Sequence, residues 1–210
     1  MISFYVVRHG ESLLNSLGKA QGWSDSPLTA NGKKTAMELG TELKETAFRA
    51  IYTSDTMRAE QTAKLILSSN GNVSLKIQKD IRLREWCLGN MEAEQNSIFS
   101  QRVSDWLGGT SFAQLNRRLP DVAAAICQHD TTGVAESFAD ISNRLKSVFT
   151  DMAQSNLHNA HSNILVVTHA FAIKTLFYLF APEKLPAIDK VKHTAIFQFI
   201  YDGNTFFFQE

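Results

Sequence analysis

The sequence predicts an α/β fold with a mostly parallel central sheet, and three observations lead to that prediction. Short, almost wholly apolar segments alternate with amphipathic segments of helical period, as in strands joined by crossover helices. The apolar segments at 2–8 and 163–168 have few polar positions, which is typical of strands covered on both faces. The chain has 210 residues, 44% hydrophobic and 20% charged, enough for one domain with a large core. We therefore expect a three-layer sandwich with helices on both faces of the sheet.

The individual elements follow from local patterns. Further strands are predicted at 49–54, at 73–78 and in a terminal hairpin made of 194–201 and 205–210. Helices are predicted by hydrophobic residues at helical spacing, over 27–47, 54–69, 135–153 and 170–181. Thr29 is the expected N-cap of the first of these helices, and Ser54 or Asp55 that of the second.

Residues 88–133 differ from the rest of the chain. They contain polar stretches, two consecutive glycines and short amphipathic pieces rather than the regular alternation seen elsewhere. We interpret this segment as an inserted helical lid within a single domain that spans residues 1–210.

Composition excludes several classes of function. Twenty-one basic residues balance 21 acidic ones, so no overall positive field favours nucleic acid or an acidic membrane as a partner. The apolar stretch at 164–180 contains His169 and Lys174, which favours a buried strand running into a helix over a membrane span. Cys87 and Cys127 match no zinc or redox spacing, and because the N-terminal residues lack the basic and apolar pattern of a secretory signal, none is expected. A cytoplasmic location is expected, and the sequence leaves a homodimer open.

Three predicted strands end in residues suited to phosphate. The first runs into Arg8 and His9, the second into a helix whose first turn carries Arg58, and the third into His169. If these strands are neighbours, two imidazoles and two guanidiniums converge at one edge of the sheet, where α/β proteins bind their ligands. Gly10 is expected to leave room for a ligand to approach the backbone closely.

This set of side chains fits phosphoryl transfer. Arginine forks match phosphoryl oxygens, and a neutral imidazole is a competent nucleophile. Flanking arginines keep the imidazole pKa low. Glu85, beside Trp86, supplies the missing proton donor, since partial burial raises the pKa of a carboxyl group. Taken singly, each residue is more often structural or solvated; the hypothesis depends on their occurrence at equivalent ends of neighbouring strands.

Six segments in sequence order resemble the signature segments of the histidine phosphatase superfamily, the phosphoglycerate mutase-like proteins. They are RHGESLLN (8–15), DSPLTANGKKTA (25–36), IYTSDTMRAEQTA (51–63), LREWCLGNMEA (83–93), GVAESFADISNRL (133–145) and VVTHAFAIKTL (166–176). The resemblance implies the phosphoglycerate mutase-like fold and chemistry that uses neither a metal ion nor a cofactor.

The resemblance also implies residue roles. His9 would form a phosphohistidine that water then hydrolyses, while Arg8, Arg58 and His169 hold the phosphoryl oxygens. Glu85 would first act as general acid and then as the base that activates water. Asn15 and Gln21 match loop positions that line the phosphate pocket of the family.

The chain departs from the family pattern at several positions. Ala170 stands where a glycine is usual after the second histidine; its backbone N–H can still reach a phosphate, but its methyl group narrows the site. In the 83–93 loop, Met91 and Ala93 replace a tryptophan and a glycine. His193 stands where relatives often carry asparagine, and it is expected to be a surface or packing residue.

Three functions remain open from sequence. The first is a metal-independent phosphomonoesterase with a small phosphorylated substrate. The second is a cofactor-dependent phosphoglycerate mutase, which is disfavoured because Arg102, Arg117 and Arg118 are expected to be solvated rather than lid ligands. The third is a catalytically silent phosphate-binding or interaction module. Ala170 and the altered loop favour this last function, while the complete set of His9, Glu85 and the cationic clamp argues against it.

Overall fold

The structure is a computed structural model that describes residues 1–71, 74–110, 112–115, 117–157 and 161–209. The strands, in chain order, are β1 (Ile2–Arg8), β2 (Phe48–Thr53), β3 (Ile77–Lys79), β4 (Ser162–Thr168), β5 (Ile196–Tyr201) and β6 (Phe206–Gln209). The α-helices are α1 (Leu13–Ser16), α2 (Ala30–Glu42), α3 (Met57–Asn70), α4 (Asn96–Trp106), α5 (Phe112–Leu115), α6 (Leu119–His129), α7 (Phe138–Asn156) and α8 (Ala170–Phe180).

Within the described residues, six strands form one sheet in the order β3-β2-β4-β1-β5-β6. The first four run parallel, while β5 is antiparallel to β1 and forms the terminal hairpin with β6. The register pairs Arg8 with Thr168, and Thr53 with Val167. The mostly parallel sheet is therefore confirmed, and the carboxyl ends of β2, β4 and β1 meet at one edge.

The strands bury alternate residues on opposite faces, as the pleat of a sheet requires. Phe4 and Val6 join a core cluster with residues of α7 and α8, whereas Val7 joins a second cluster with α2 and α3. In the same way, Ile164 and Leu165 belong to opposite clusters. Helices cover both faces, so the expected three-layer arrangement is confirmed.

Two local predictions were wrong. The N-cap of α3 is Thr56, without a side-chain capping bond, because Ser54 and Asp55 have other partners. The Ser54 hydroxyl lies 2.8 Å from His169 Nε2, and the Asp55 carboxylate accepts two bonds from Arg84. The strand predicted at 73–78 is shorter and begins at Ile77, while residue 73 lies outside the described residues. The predicted cap of α2 is confirmed, since Thr29 Oγ1 accepts from Gly32 N at 3.0 Å.

Gly10 is required by chain packing rather than by a ligand. A Cβ atom at Gly10 would lie 2.5 Å from the carbonyl oxygen of Gly32, and one at Gly32 would lie 2.1 Å from Glu11 O. The expectation that Gly10 makes room for a ligand was therefore wrong. The two glycines let the loop after β1 lie directly against the first turn of α2, and this contact fixes the path of the chain after His9.

The segment 88–133 contains α4, α5 and α6. Its buried residues Phe99, Val103, Val122 and Ile126 belong to the same core cluster as α7 and α8. The segment is thus packed onto the α/β body, and its role as a lid stays a prediction. No helix in the described part of the chain is long and apolar enough to cross a membrane.

Candidate active site

The two histidines of the predicted site follow adjacent strands and lie side by side. His9 comes directly after β1, and its backbone N–H donates to Thr168 O at 3.0 Å. His169 follows β4 and is the N-cap of α8. Both side chains are buried, and their ring centroids are 5.0 Å apart. The convergence expected from the strand ends is therefore present.

The hydrogen bonds of His9 fix which ring nitrogen can react. Nδ1 lies 2.7 Å from Gly10 O, an acceptor, so Nδ1 carries the proton. Nε2 accepts a bond from Arg58 Nε at 3.3 Å and therefore holds a lone pair. Burial, reinforced by the charges of Arg58 and Arg8, holds the pKa of His9 well below its usual value. His9 is thus a neutral imidazole with its lone pair on Nε2.

Arg58 is fully buried, and its guanidinium is held on every side. Nη2 donates to Gly22 O at 2.6 Å, and Nη1 donates to Ser24 O at 2.8 Å and to Asp25 Oδ1 at 3.1 Å. The remaining donor, Nε, points at His9. The fork therefore ties the loop at 22–25 to the nucleophile, with a geometry that a single ammonium group cannot reproduce.

Glu92 holds this loop from the other side, a role that was not predicted from sequence. Its carboxylate accepts from the backbone N–H groups of Gly22, Trp23 and Ser24, at 3.1, 2.7 and 3.0 Å, and from Leu88 N at 3.0 Å. A carboxylate that accepts several N–H bonds stabilises a tight loop. In the sequence, the one indication of a role for Glu92 is its position within the motif-like segment 83–93.

Arg8 brings an unsatisfied donor to the site. Its Nη1 donates to Val191 O at 2.7 Å, whereas Nε is buried without a hydrogen-bond partner among the described residues. Burial lowers the pKa of Arg8 to about 10, so the group stays charged at neutral pH. A buried donor without a partner is rare in folded proteins. A phosphoryl oxygen is the kind of acceptor that Arg8 Nε requires.

His169 provides a second such atom. Its Nε2 lies 2.8 Å from Ser54 Oγ, and Nδ1 is buried with no partner in the described part of the chain. Burial, and then the nearby Arg58, holds the pKa of His169 well below its usual value. If Ser54 donates to Nε2, the proton of the neutral ring sits on Nδ1, which can then donate to a phosphoryl oxygen.

The Glu85 carboxylate lies against the first turn of α8, where the backbone N–H groups have no partner within the helix. Oε2 accepts from Phe171 N at 2.9 Å, and Oε1 accepts from Ala172 N at 2.9 Å and from Trp86 N at 3.1 Å. The side chain is only 5% exposed. Burial raises the pKa of Glu85, and the three N–H bonds partly oppose this rise. A buried carboxyl group with a raised pKa is suited to proton transfer.

Arg144 and Glu136 hold the Glu85 loop in place. Arg144 forms a two-pronged ion pair with Glu136, at 2.7 and 2.9 Å, and it donates to the carbonyl oxygens of Arg82, Arg84 and Glu85. This pair supports the general-acid candidate without being part of the cavity lining. Glu136 lies in the motif-like segment 133–145, but the sequence does not show what its carboxylate contacts.

A cavity of about 330 Å³ lies beside this site, but His9, Arg58 and His169 are not among the residues that line it. Asn15, Gln21 and Ala170, the remaining predicted substrate-binding residues, all line it. The Gln21 amide lies 2.5 Å from Ser12 Oγ, and Ala170 is the first residue of α8. The other lining residues are Arg8, Lys19, Ala20, Glu85, Leu88, Asn96, Phe99, Ser100, Phe171, Lys174, Asp189, Lys190 and Val191.

His193 lies at the site, although the sequence favoured a surface or packing role. Its ring centroid is 6.1 Å from that of His9, and its Nε2 lies 3.1 Å from Asn15 Oδ1. It is half-buried. Within the described residues, no group of three or more His, Cys, Asp or Glu side chains is placed to hold a metal ion.

The buried neutral histidines make stability depend on pH. In the unfolded chain each histidine titrates near pH ~6.5, whereas His9 and His169 have much lower pKa values in the fold. Below that pH the unfolded state binds more protons than the folded state. We therefore expect the free energy of unfolding to decrease below about pH 6.5, by up to about 1.4 kcal/mol per pH unit for each histidine.

Denaturant unfolding between about pH 7.5 and 5 tests this expectation. Glu85 acts in the opposite direction, since its raised pKa favours proton uptake by the folded state. The informative quantity is therefore the difference between wild type and His9→Ala, which should narrow as the pH falls. Parallel curves for the two proteins would show that folding does not lower the pKa of His9.

Comparisons with known proteins agree with this geometry. The family model of the histidine phosphatase superfamily (branch 1) matches residues 4–210. A probable phosphoglycerate mutase, GpmB, of Escherichia coli O1:K1 / APEC is 30% identical over 179 residues, which cover 84% of this chain and 73% of that protein.

Solved structures extend the similarity to the fold. A phosphoglycerate mutase from Bacillus anthracis str. Sterne superposes with a TM-score of 0.91 and 31% identity, covering 99% of this chain and 91% of that one. A phosphoserine phosphatase from Entamoeba histolytica, solved with 3-phosphoglyceric acid, gives a TM-score of 0.73 and 26% identity, covering 100% and 96%. The phosphoglycerate mutase-like fold inferred from the sequence motifs is confirmed.

Proposed function

The chain belongs to the histidine phosphatase superfamily, and on that basis we propose that it is a metal-independent phosphomonoesterase that acts through a phosphohistidine on His9. The observation that carries the proposal is the state of His9: a buried, neutral ring whose Nε2 lone pair faces an arginine. Two buried nitrogen atoms lack partners among the described residues: Arg8 Nε at the end of β1, and His169 Nδ1 directly after β4. They suit the extra negative charge of a phosphoryl group in transfer.

The reaction has two steps. His9 Nε2 attacks phosphorus, the bond from phosphorus to the ester oxygen breaks, and the leaving oxygen takes a proton from Glu85. The Glu85 carboxylate then accepts a proton from a water molecule as that water attacks the phosphohistidine. The P–N bond breaks, inorganic phosphate leaves, and neutral His9 and protonated Glu85 are restored. Arg8 Nε and His169 Nδ1 donate to the equatorial oxygens in both steps, while Arg58, whose donors hold His9 and the loop at 22–25, contributes its positive charge.

The size and charge of the cavity support a small phosphorylated metabolite as substrate. At about 330 Å³ the cavity lies at the low end of ordinary ligand pockets. Arg8, Lys19, Lys174 and Lys190 line it, against the acidic Glu85 and Asp189. A net cationic lining attracts a phosphate dianion. We also propose that the protein is cytoplasmic and that it binds neither nucleic acid nor a membrane. The sequence allows a homodimer.

A phosphoglycerate mutase is the second candidate, because that is what the relatives from Escherichia coli and Bacillus anthracis are named. A mutase must keep its phosphorylated product bound until the phosphoryl group returns. The segment 88–133 lines the cavity with Leu88, Asn96, Phe99 and Ser100, all uncharged. Its exposed Arg118 pairs with Asp121 instead. This favours release of the product and hence the phosphatase.

The deciding experiment measures two products in one reaction mixture. Wild type is incubated with 3-phosphoglycerate or an aryl phosphate, with and without a strong chelator, and inorganic phosphate and 2-phosphoglycerate are quantified. A phosphatase releases phosphate steadily, without isomerisation and regardless of chelator. Isomerisation that depends on a bisphosphorylated primer would establish the mutase instead. Phosphate binding without any turnover, across a panel of metabolite phosphates, would leave the silent binding module.

Glu85→Gln tests the general acid. The variant cannot donate the proton, and one of its amide hydrogens must face Phe171 N or Ala172 N, both of which are donors. We expect kcat to fall by about 10²–10⁴-fold for an alkyl phosphate, but much less for an aryl phosphate whose leaving group needs no proton. Equal losses for both esters would show that Glu85 does not protonate the leaving group.

A further inference from the structure

His193 reaches the site because it precedes the one antiparallel neighbour of β1. β5 starts where β1 ends, with Ile196 paired to Val7. Two backbone bonds fasten the connection: Thr194 N donates to Arg8 O at 3.1 Å, and Arg8 N donates to Ala195 O at 3.0 Å. The segment 193–195 before β5 is therefore fixed relative to β1, on the side of β1 away from β4.

The contacts of Asn15 show which way its amide group is turned. Ser12 N, which can only donate, lies 3.3 Å from Asn15 Oδ1 and so fixes the oxygen on that side. His193 Nε2 lies 3.1 Å from the same oxygen. Because that oxygen can only accept, Nε2 must carry a proton. With Oδ1 held by two donors, Nδ2 is the atom through which Asn15, a cavity-lining residue, can donate to a ligand.

We propose that His193 is a positioning residue, which holds the Asn15 side chain so that its Nδ2 group donates to the bound phosphoryl group. This inference rests on the proposed function and adds a residue outside the family-like motifs. It assigns His193 no proton transfer and no contact with the reacting atoms.

The surroundings of His193 keep its ring in one protonation state. Burial, and then the nearby charges of Arg8 and Lys190, lower its pKa to about 4. At neutral pH the ring is therefore uncharged and carries a single proton, and the bond to Asn15 Oδ1 places that proton on Nε2. A neutral donor also avoids adding a third positive charge beside His9, which Arg8 and Arg58 already flank.

A double-mutant cycle between Asn15 and His193 tests the inference. The variants are Asn15→Ala, His193→Leu, the double variant, and His193→Gln, whose amide nitrogen is a donor at the same distance along the side chain. Dissociation constants for inorganic phosphate are measured by calorimetry, alongside KM and kcat. We expect His193→Leu to weaken phosphate binding and raise KM about tenfold with a smaller change in kcat, and His193→Gln to restore most of the loss.

In the Asn15→Ala background, His193→Leu should have no further effect on phosphate affinity. Additive losses, or no loss in His193→Leu, would overturn the inference. NMR relaxation of the Asn15 side-chain amide supplies a readout that needs neither binding nor turnover. That group should be ordered in wild type and mobile in His193→Leu; unchanged order would also overturn the inference. A wild type that shows the ordered amide but binds no phosphate would contradict the proposed function alone.

Discussion

Replacing His9 with alanine is expected to lower turnover by about 10⁴-fold or more while the protein stays folded. The variant lacks Nε2, the lone-pair atom that Arg58 and the bond from Nδ1 to Gly10 O hold ready for attack. No other described side chain occupies that position between the ends of β1 and β4. The fold should survive, because leaving the partners of one buried ring unpaired costs about 1–3 kcal/mol each, which an ordinary domain tolerates.

Steady-state phosphate release measures this loss, with circular dichroism and thermal unfolding as checks on the fold. His161→Ala is the matched control, since His161 is exposed and precedes β4 at the opposite end of the sheet. It should retain full activity. Turnover of His9→Ala within a few-fold of wild type would exclude His9 as the nucleophile.

Arg58→Lys is expected to lower kcat/KM by about 10²–10³-fold. Lysine keeps the positive charge but cannot donate at once to His9 Nε2, Gly22 O and Ser24 O. The loop at 22–25 then loses its anchor, and His9 loses the donor that orients its lone pair. Because buried carbonyl groups are left unpaired, the free energy of unfolding should also fall, by about 1–3 kcal/mol.

The matched control is Arg118→Lys. Arg118 is half-exposed and forms a surface ion pair with Asp121, and such a pair contributes little to the free energy of unfolding. Its activity and stability should match those of wild type. Kinetics on one aryl phosphate and denaturant unfolding supply both measurements. An Arg58→Lys enzyme within a few-fold of wild type would show that the fork geometry is not needed for catalysis.

Much of this architecture could be predicted from the sequence because parallel strands have simple rules. Buried strands at 2–8 and 163–168 carried almost no polar residues, and each ended in a residue suited to phosphate. Carboxyl ends of neighbouring parallel strands share one edge, so the convergence of His9, Arg58 and His169 followed once the strands were taken as neighbours.

The same rule explains why His193 was missed. The rule points to residues that follow parallel strands, whereas His193 precedes a strand. In an antiparallel neighbour, the start of the strand lies at the carboxyl edge of the parallel set, and only the pairing of β5 with β1 shows this. The hairpin was predicted, but its place in the sheet was not.

Long-range hydrogen bonds account for the other differences. Ser54 and Asp55 are of the residue types that cap helices. Instead, each side chain forms a hydrogen bond with a residue distant in sequence: Ser54 with His169, and Asp55 with Arg84. Glu92 likewise looks like an ordinary surface carboxylate until the fold brings the N–H groups of the loop at 22–24 to it. Local propensity cannot anticipate a partner that only the tertiary fold supplies.

The central claim is that the phosphoryl group passes through His9 Nε2. The most direct measurement is to mix enzyme with substrate, quench rapidly in alkaline denaturant, which preserves phosphohistidine, and map the modified residue and nitrogen by mass spectrometry and NMR. The account predicts a phosphoryl group on Nε2 of His9, because Nδ1 carries the proton that it donates to Gly10 O. Steady turnover with no phosphorylated His9, or with the group on another residue, would contradict it.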